Sequence, residues 1–385
     1  MEILTEKIDL NNLDKSNWET FKFDEIAQKI SKTIDPNETT LETYVGLEHI
    51  DAEDLHIRRK GTPDDVKGGK LRCYPGDIIF GKRRAYQRKA AIVDFDGICS
   101  AHAFVLRANS EVIDSKLFPF FLHSNQFMHR MVDISVGGLS PTINWGDLKH
   151  QEFLLPPKDQ QVQLAKLLWA MDEVIEKEKE LINKLKTNYL ANRKKKLNDQ
   201  SFYEDRIEDL AKTSAGGTPS TKREDFWNGD VPWINSGKLK NELISSPSKM
   251  ITKLGLEKSS AKLWDKDTTL IALTGATTGE VGYLDFECSG NQSIVAVKSK
   301  GEIIDKYFFY YLIEFKHRIL QQAIGSAQPH INKNIVDKFK LRYPEIEKQR
   351  VLVNEFDRYV DLMNKNLEKI SSSKSLQKSI INQIF

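Results

Sequence analysis

Three cysteines, at 73, 99 and 288, are all that the 385 residues contain, and no two stand in Cys-x-x-Cys spacing. A disulfide framework and a thiolate zinc centre are thereby excluded, and a reducing cytoplasm is the expected compartment. Long apolar runs are missing too. The aromatic stretch 307–315 falls well short of the roughly 18 apolar residues that a membrane-spanning helix needs, and it ends in Lys316-His317-Arg318. The opening Met-Glu-Ile-Leu-Thr-Glu-Lys has no basic segment leading into an apolar core, so neither a signal peptide nor a membrane association is expected. Net charge is only +2, with 39% apolar and 29% charged side chains, which suits two to three globular domains.

Catalytic signatures are scarce as well. Adenine methylation uses an Asp/Asn-Pro-Pro-Tyr/Phe motif to stack a flipped base; the one Pro-Pro here, at 156–157, stands between Leu155 and Lys158. Gly275, Gly279 and Gly282 fit neither a dinucleotide fingerprint nor a phosphate loop. Pro63-Asp64-Asp65-Val66-Lys67 crowds its carboxylates too closely for a metal nuclease and reads as a polar turn. His49 and His56 lack a third ligand and helical i, i+4 spacing, so they read as ordinary surface histidines. No Ser-His-Asp or Cys-His arrangement is visible, so no catalytic residue and no bound metal or cofactor is expected on this chain.

What the chain does have is a duplication. Ile113-Asp-Ser-Lys-Leu-Phe, then 135–144 (Ser-Val-Gly-Gly-Leu-Ser-Pro-Thr-Ile-Asn), then Leu154-Leu-Pro-Pro recur in order as Ile304-Asp-Lys-Tyr-Phe-Phe, 323–332 (Ala-Ile-Gly-Ser-Ala-Gln-Pro-His-Ile-Asn) and Arg342-Tyr-Pro. Gly137/Gly325, Pro141/Pro329, Asn144/Asn332, Pro156/Pro344 and Gln161/Gln349 all lie 188 positions apart. That period is too long for solenoid or propeller units of about 20–50 residues, and two modules related by a pseudo-twofold are expected. Duplex DNA read at two half-sites is a common partner for such an object.

Each copy runs into a helical pattern. Leu164, Leu168, Met171, Ile175, Ile182, Leu185 and Tyr189 keep heptad steps with a gap at Glu178. Val353, Phe356, Val360, Met363, Leu367, Ile370, Lys374, Gln377 and Ile381 keep the same rhythm in the second copy. Helices of this length reach about 60 Å, and neither can bury its seam alone, so an antiparallel pair is expected with a module at each end. Expected boundaries are 1–156 for module one, 157–200 for its long helix, 201–343 for module two and 344–385 for the second long helix.

Charge is segregated within that plan. Eleven Lys or Arg lie between Arg58 and Lys89, against Asp64, Asp65 and Asp77. The apolar runs 77–80, 90–95 and 103–106 read as strands, and 114–132 as a helix. The loop that follows 77–80 holds Lys82, Arg83, Arg84, Tyr86, Gln87, Arg88 and Lys89, suited to phosphates, guanine and adenine edges. Its counterpart in module two, within a strand–turn–strand pattern over 270–282, offers Thr274, Thr277 and Thr278 instead, with Thr218, Ser220 and Lys222 from an earlier loop. One scaffold with two different readers is the natural inference, and these thirteen residues are the candidate DNA contacts.

Gly216-Gly-Thr-Pro-Ser-Thr, Trp227-Asn-Gly-Asp-Val-Pro-Trp, Leu273-Thr-Gly-Ala-Thr-Thr-Gly, the two Gly-x-x-x-Pro-x-Ile-Asn loops and the Pro-x-x-x-x-Gln helix starts together resemble the specificity subunit of type I restriction-modification systems. The resemblance covers essentially the whole chain. It departs in module one, where Ile30-Ser-Lys-Thr-Ile-Asp-Pro-Asn replaces the Gly-Gly-Thr-Pro signature. It implies an α+β chain: two pseudo-twofold related α/β target recognition domains joined by two long antiparallel coiled-coil helices. Each domain would read half of a bipartite double-stranded DNA sequence in the major groove. It further implies two methyltransferase (modification) subunits and restriction (motor-nuclease) subunits as partners, with S-adenosylmethionine and ATP/Mg held there. A coiled-coil adaptor that ignores DNA is the alternative reading, and a self-sufficient DNA-modifying enzyme is disfavoured by the missing motifs.

Overall fold

The computed structural model describes residues 13–323 and 330–385; Gly325 and Pro329 of the repeat therefore lie outside the described residues. Two compact units emerge, Met1–Glu180 with Leu367–Phe385, and Leu181–Asn366.

The first unit contains module one. Its buried strands Ile78–Gly81 and Ala103–Ala108 lie side by side in a four-stranded sheet, ordered Ala27–Ile30, Ala103–Ala108, Ile78–Gly81, Ala90–Ile92. These strands are apolar on both faces, as a sheet between two cores requires. Ile78, Phe80, Phe104 and Leu106 point into one core, whereas Ile79, Ala103 and Val105 point into the other. A second sheet is ordered Thr33–Ile34, Lys70–Cys73, Gly97–Cys99, Tyr44–Val45. Glu19–Lys22 pairs with Glu152–Leu155 where the module begins and ends.

Module two, in the second unit, repeats that order. Ala211–Ala215, Ile294–Ser299, Thr269–Ala272 and Val281–Leu284 form the corresponding sheet, extended by Glu242–Ile244. The parallel pairing of Tyr44–Val45 with Gly97–Cys99 recurs as Trp227–Ile234 with Cys288–Gly290. Here too alternate residues divide, Ile271 toward one core and Leu270 and Ala272 toward the other. The duplication inferred from scattered motifs thus extends to strand order.

One expected helix differs. In place of 114–132 there are two, Phe118–His123 and Asn125–Asp133, because Ser124 adopts an extended conformation and its hydroxyl accepts the Phe127 N–H, starting a new helix.

The long helices are Lys158–Leu197 and Ile346–Ile384. Each starts just after Pro157 or Pro344, residues that suit a first turn and cannot sit deeper. In the first unit Leu168 O accepts the Gln377 amide at 3.3 Å, and Glu178 meets Lys369 at 2.8 Å. In the second, Tyr189 packs on Phe356 and Tyr359, and Asn192 donates to Glu355 at 2.6 Å. Rising numbers on one helix match falling numbers on the other within each unit, which is antiparallel pairing. Both helices also enter each module's core. Leu164, Leu168, Ile381, Ile384 and Phe385 join module one, while Tyr189, Leu197, Leu352, Val353 and Phe356 join module two.

The heptad reading needs two corrections. Glu178, expected as a gap, is buried and ion-paired with Lys369. Leu367 and Lys374, expected in the seam, are exposed, and half-buried Ile370, Ser373 and Gln377 take that face. Ile370 and Gln377 hold their expected places, and the three-four rhythm is kept with Asn366 and Ser373 in place of Leu367 and Lys374, one residue earlier.

The repeated Gln161 and Gln349 have a structural task. Gln161, buried, accepts the Asp114 N–H at 2.6 Å and donates to Val112 O and Pro156 O at 3.0 and 2.8 Å. Gln349 does the same with Ile304 N–H, Glu302 O and Pro344 O, at 2.9, 3.1 and 2.8 Å. Each amide satisfies three backbone groups that would otherwise be stranded, each at a cost of about 1–3 kcal/mol. That explains the fixed spacing from helix start to glutamine in both copies.

Candidate nucleic-acid interface

Much of the basic patch expected between Arg58 and Lys89 is neutralised by acids outside that window. Arg58 pairs with Asp54 and Glu176, Arg59 with Asp51, Lys60 with Asp94, Arg72 with Asp96, and Arg88 with Glu53. Among the described residues Lys82, Arg83 and Arg84 form no ion pair. Of the unpaired cations, Lys82, Arg83 and Arg84 share the loop between the antiparallel strands Ile78–Gly81 and Ala90–Ile92, while Lys67 and Lys70 lie elsewhere.

That loop has a defined shape. Arg84 and Arg88 both adopt left-handed backbone conformations, φ 57° and 52°, flanking the single turn Ala85–Gln87. Side-chain-bearing residues hold such a conformation only where their surroundings enforce it. For Arg84 the 135–144 segment does so. Val136 and Thr142 pair across a hairpin whose Pro141 O accepts the Arg84 N–H at 2.7 Å, and Ile143 N–H donates to Lys82 O at 2.9 Å. Ser140 Oγ accepts from Arg84 Nε at 3.1 Å. The turn of that hairpin needs Gly137, whose φ is 119°. At the tip, Leu139 is 97% exposed.

The predicted contacts separate by environment. Arg83, Arg84 and Tyr86 are exposed. Lys82 is half-buried over the Phe104 ring, 5.3 Å from its centre; burial and then Lys29 hold its ammonium below the usual lysine value. Lys29 lies over Trp145, so two neighbouring cations rest on aromatic faces beside the loop. Gln87 is half-buried. Arg88 and Lys89 spend their polar groups inside the protein. Arg88 meets Glu53, His123 O and Asn125, and Lys89 donates to Leu47 O at 2.6 Å. Lys29, Ser140 and Leu139 escaped the sequence reading, since only the fold brings them to the loop.

In module two the two candidate loops meet at one turn. Thr218 Oγ1 donates to Gln292 Oε1 at 2.6 Å, and Thr274 Oγ1 to Ser293 Oγ at 2.7 Å. Thr278 closes its own turn through Gly275 O at 2.7 Å, and Gly275 and Gly279 supply the positive φ that the turn needs. Ser220 and Lys222 are exposed, and Thr277 is half-buried. Gln292 and Ser293 were not anticipated; they sit between Cys288–Gly290 and Ile294–Ser299, far from either loop in sequence.

His56, read as a plain surface histidine, is half-buried in an ion-pair cluster. Its Nε2 lies 2.7 Å from Asp172, on the first long helix, and Glu176 stands one turn further on. His56, Asp172 and Glu176 place ligand atoms within 4.8 Å of one another. Arg58 bonds both Glu176 oxygens at 2.7 Å, so cations of the chain already fill this place. Burial alone would raise the Asp54 and Glu176 carboxyls, but hydrogen bonds from Arg58, with Lys179 close by, hold both at about 2. The Asp172 hydrogen bond outweighs burial and raises His56 above its ordinary value. A raised folded-state value stabilises fully below the unfolded value, about 6.5, and the contribution fades as pH climbs through the raised one. Amide exchange over 53–58, corrected for intrinsic rates, is expected to quicken across that window in the wild type. His56→Gln should remove the pH dependence.

The type I restriction modification DNA specificity domain matches residues 15–187 and again 201–372. The specificity subunit of the type I restriction enzyme MjaIX of Methanocaldococcus jannaschii is 27% identical over 180 residues, 43% of this chain and 41% of the relative. This chain thus spans about two fifths of that subunit. The putative MjaX specificity subunit of the same organism is 23% identical over 360 residues, 85% of this chain and 83% of the relative. Among solved structures, a chain from work on complex assembly and conformational transition of the type I restriction-modification system superposes with a TM-score of 0.63 at 19% identity. That match covers 96% of this chain and 97% of the other. The S subunit from M. genitalium gives 0.59 at 17% identity, covering 97% and 98%. The two domain matches fall on the two copies of the repeat, and the chain belongs to the type I restriction-modification DNA specificity family.

Proposed function

We propose that the chain is the non-catalytic DNA-reading subunit of a type I restriction-modification complex, with module one (1–156) and module two (201–343) each reading one half of a bipartite target. The observation that carries this reading is the duplicated strand framework, which presents a basic loop in one copy and a threonine-rich loop in the other. Lys82, Arg83, Arg84, Tyr86 and Gln87 are the contacts proposed for module one. Thr218, Ser220, Lys222, Thr274, Thr277 and Thr278 are those proposed for module two. Arg88 and Lys89 support their loop from within the protein. An adaptor indifferent to DNA is set aside, because the matched domain is a DNA specificity domain.

Two methyltransferase subunits dock on the long helices in this reading, flip adenines in each half-site and supply S-adenosylmethionine. Restriction subunits bring ATP and Mg. Exposed Val174, Leu181, Val351, Leu362 and Leu376 on those helices support such docking. Residues 157–200 and 344–385 set the spacer. The test is genome-wide mapping of methylated adenines in cells with the partner methyltransferase, with and without this chain. A two-part motif that vanishes with the chain supports the reading, and a motif that persists without it refutes it.

A further inference from the structure

Glu53 is a side-chain-bearing residue held in the left-handed region, φ 55°. Its N–H donates to Arg88 O at 3.0 Å, and its carboxylate lies 2.7 Å from Arg88 Nε and 2.7 Å from Lys378 Nζ. Arg88 is the second left-handed residue of the reader loop, so Glu53 grips that loop through both backbone and side chain. The Arg88 guanidinium continues to His123 O and to Asn125 Oδ1, at 2.9 and 3.0 Å, and the Asn125 N–H donates to Asn382 Oδ1 at 2.7 Å. Lys378 and Asn382 stand four residues apart, on one face of the second long helix. The path Lys378, Glu53, Arg88, Asn125, Asn382 is therefore a closed circuit that begins and ends on that helix, all within the first unit.

We propose that Glu53 is a positioning residue for DNA reading by module one: it fixes the hinge of the 82–89 loop against the second long helix and thereby sets where Arg83, Arg84, Tyr86 and Gln87 meet the bases. The proposal rests on reading that loop as a DNA contact. Glu53 itself touches no base in this account. It acts through Arg88, and the circuit ties reading accuracy to the helix on which partner subunits are proposed to dock.

A residue that only stabilises the module would, when replaced, lower methylation of every site together. A positioning residue would instead loosen one half of the motif. Glu53→Gln removes the charge and keeps the shape, whereas Glu53→Gly removes the carboxylate but favours the left-handed backbone, so folding is preserved by a second route. Both variants are to be mapped for methylated adenines in the complete complex, beside Arg83→Ala/Arg84→Ala, which identifies the half-site belonging to module one.

The expected result is a rise of about tenfold in methylation of sites with a wrong base in that half-site, the scale of one lost base contact. The other half-site should stay unchanged, and so should the salt dependence of DNA binding. Unchanged stringency for both Glu53 variants, while the arginine variant alters its half-site, overturns the proposal and leaves the loop's role intact. Equal loss at both half-sites overturns it in favour of a purely structural role. Silence of all three variants removes the reading of the loop and the proposal together.

Discussion

Deleting residues 381–385 is expected to unfold the first unit, although these residues lie more than 200 positions from the module they complete. Ile381, Ile384 and Phe385 are buried among Phe118, Phe120, Phe121 and Leu164, and the Phe385 ring meets Phe121 edge-on at 5.3 Å between centres. Lys15 also donates to Ile384 O at 3.0 Å. Removing a large buried side chain costs about 2–5 kcal/mol, so losing three rivals the about 5–15 kcal/mol that keeps a whole domain folded. Two transitions should appear in thermal unfolding of the wild type, and the early loss of one in the truncated chain, with module two still melting normally. A truncated chain that keeps both transitions would show that the second helix is dispensable to module one.

Replacing Arg83 and Arg84 by alanine should weaken DNA binding by the assembled complex and lower the slope of log affinity against log salt by about 2. Both residues are exposed and unpaired by any described acid; Arg84 is fixed by a left-handed backbone that Pro141 and Ser140 hold from the other side, and Arg83 bridges to Thr142. Neither belongs to a core cluster, so the fold should survive. Filter binding or anisotropy across a salt series measures the effect. Unchanged affinity and slope would remove the loop from the interface.

What the sequence reveals and what it hides follow the range of the interactions. The hairpin runs at 78–92 and 269–284, the proline-started helices and the duplication itself depend on neighbours or on a fixed period, and they are readable. The fate of the basic patch is not, because the acids that neutralise Lys60 and Arg72 lie 34 and 24 residues away and Glu176 lies 118 from Arg58. The same holds for Gln292 and Ser293, which join two loops only once Cys288–Gly290 has taken its place in the sheet. Gln161 and Gln349 were visible as repeats, but their three backbone partners could be known only from the fold. Arg88 shows the limit most sharply. As a residue type it looks like a base reader, and its surroundings make it a support.

Independent reading by the two modules, one half-site each, is the core of the proposed function. Its most direct test exchanges residues 201–343 for the equivalent module of another family member and maps methylated adenines by single-molecule sequencing with the native methyltransferase. The expected result is a motif in which one half changes and the other is kept. A motif that stays wholly unchanged, or changes in both halves, would contradict it.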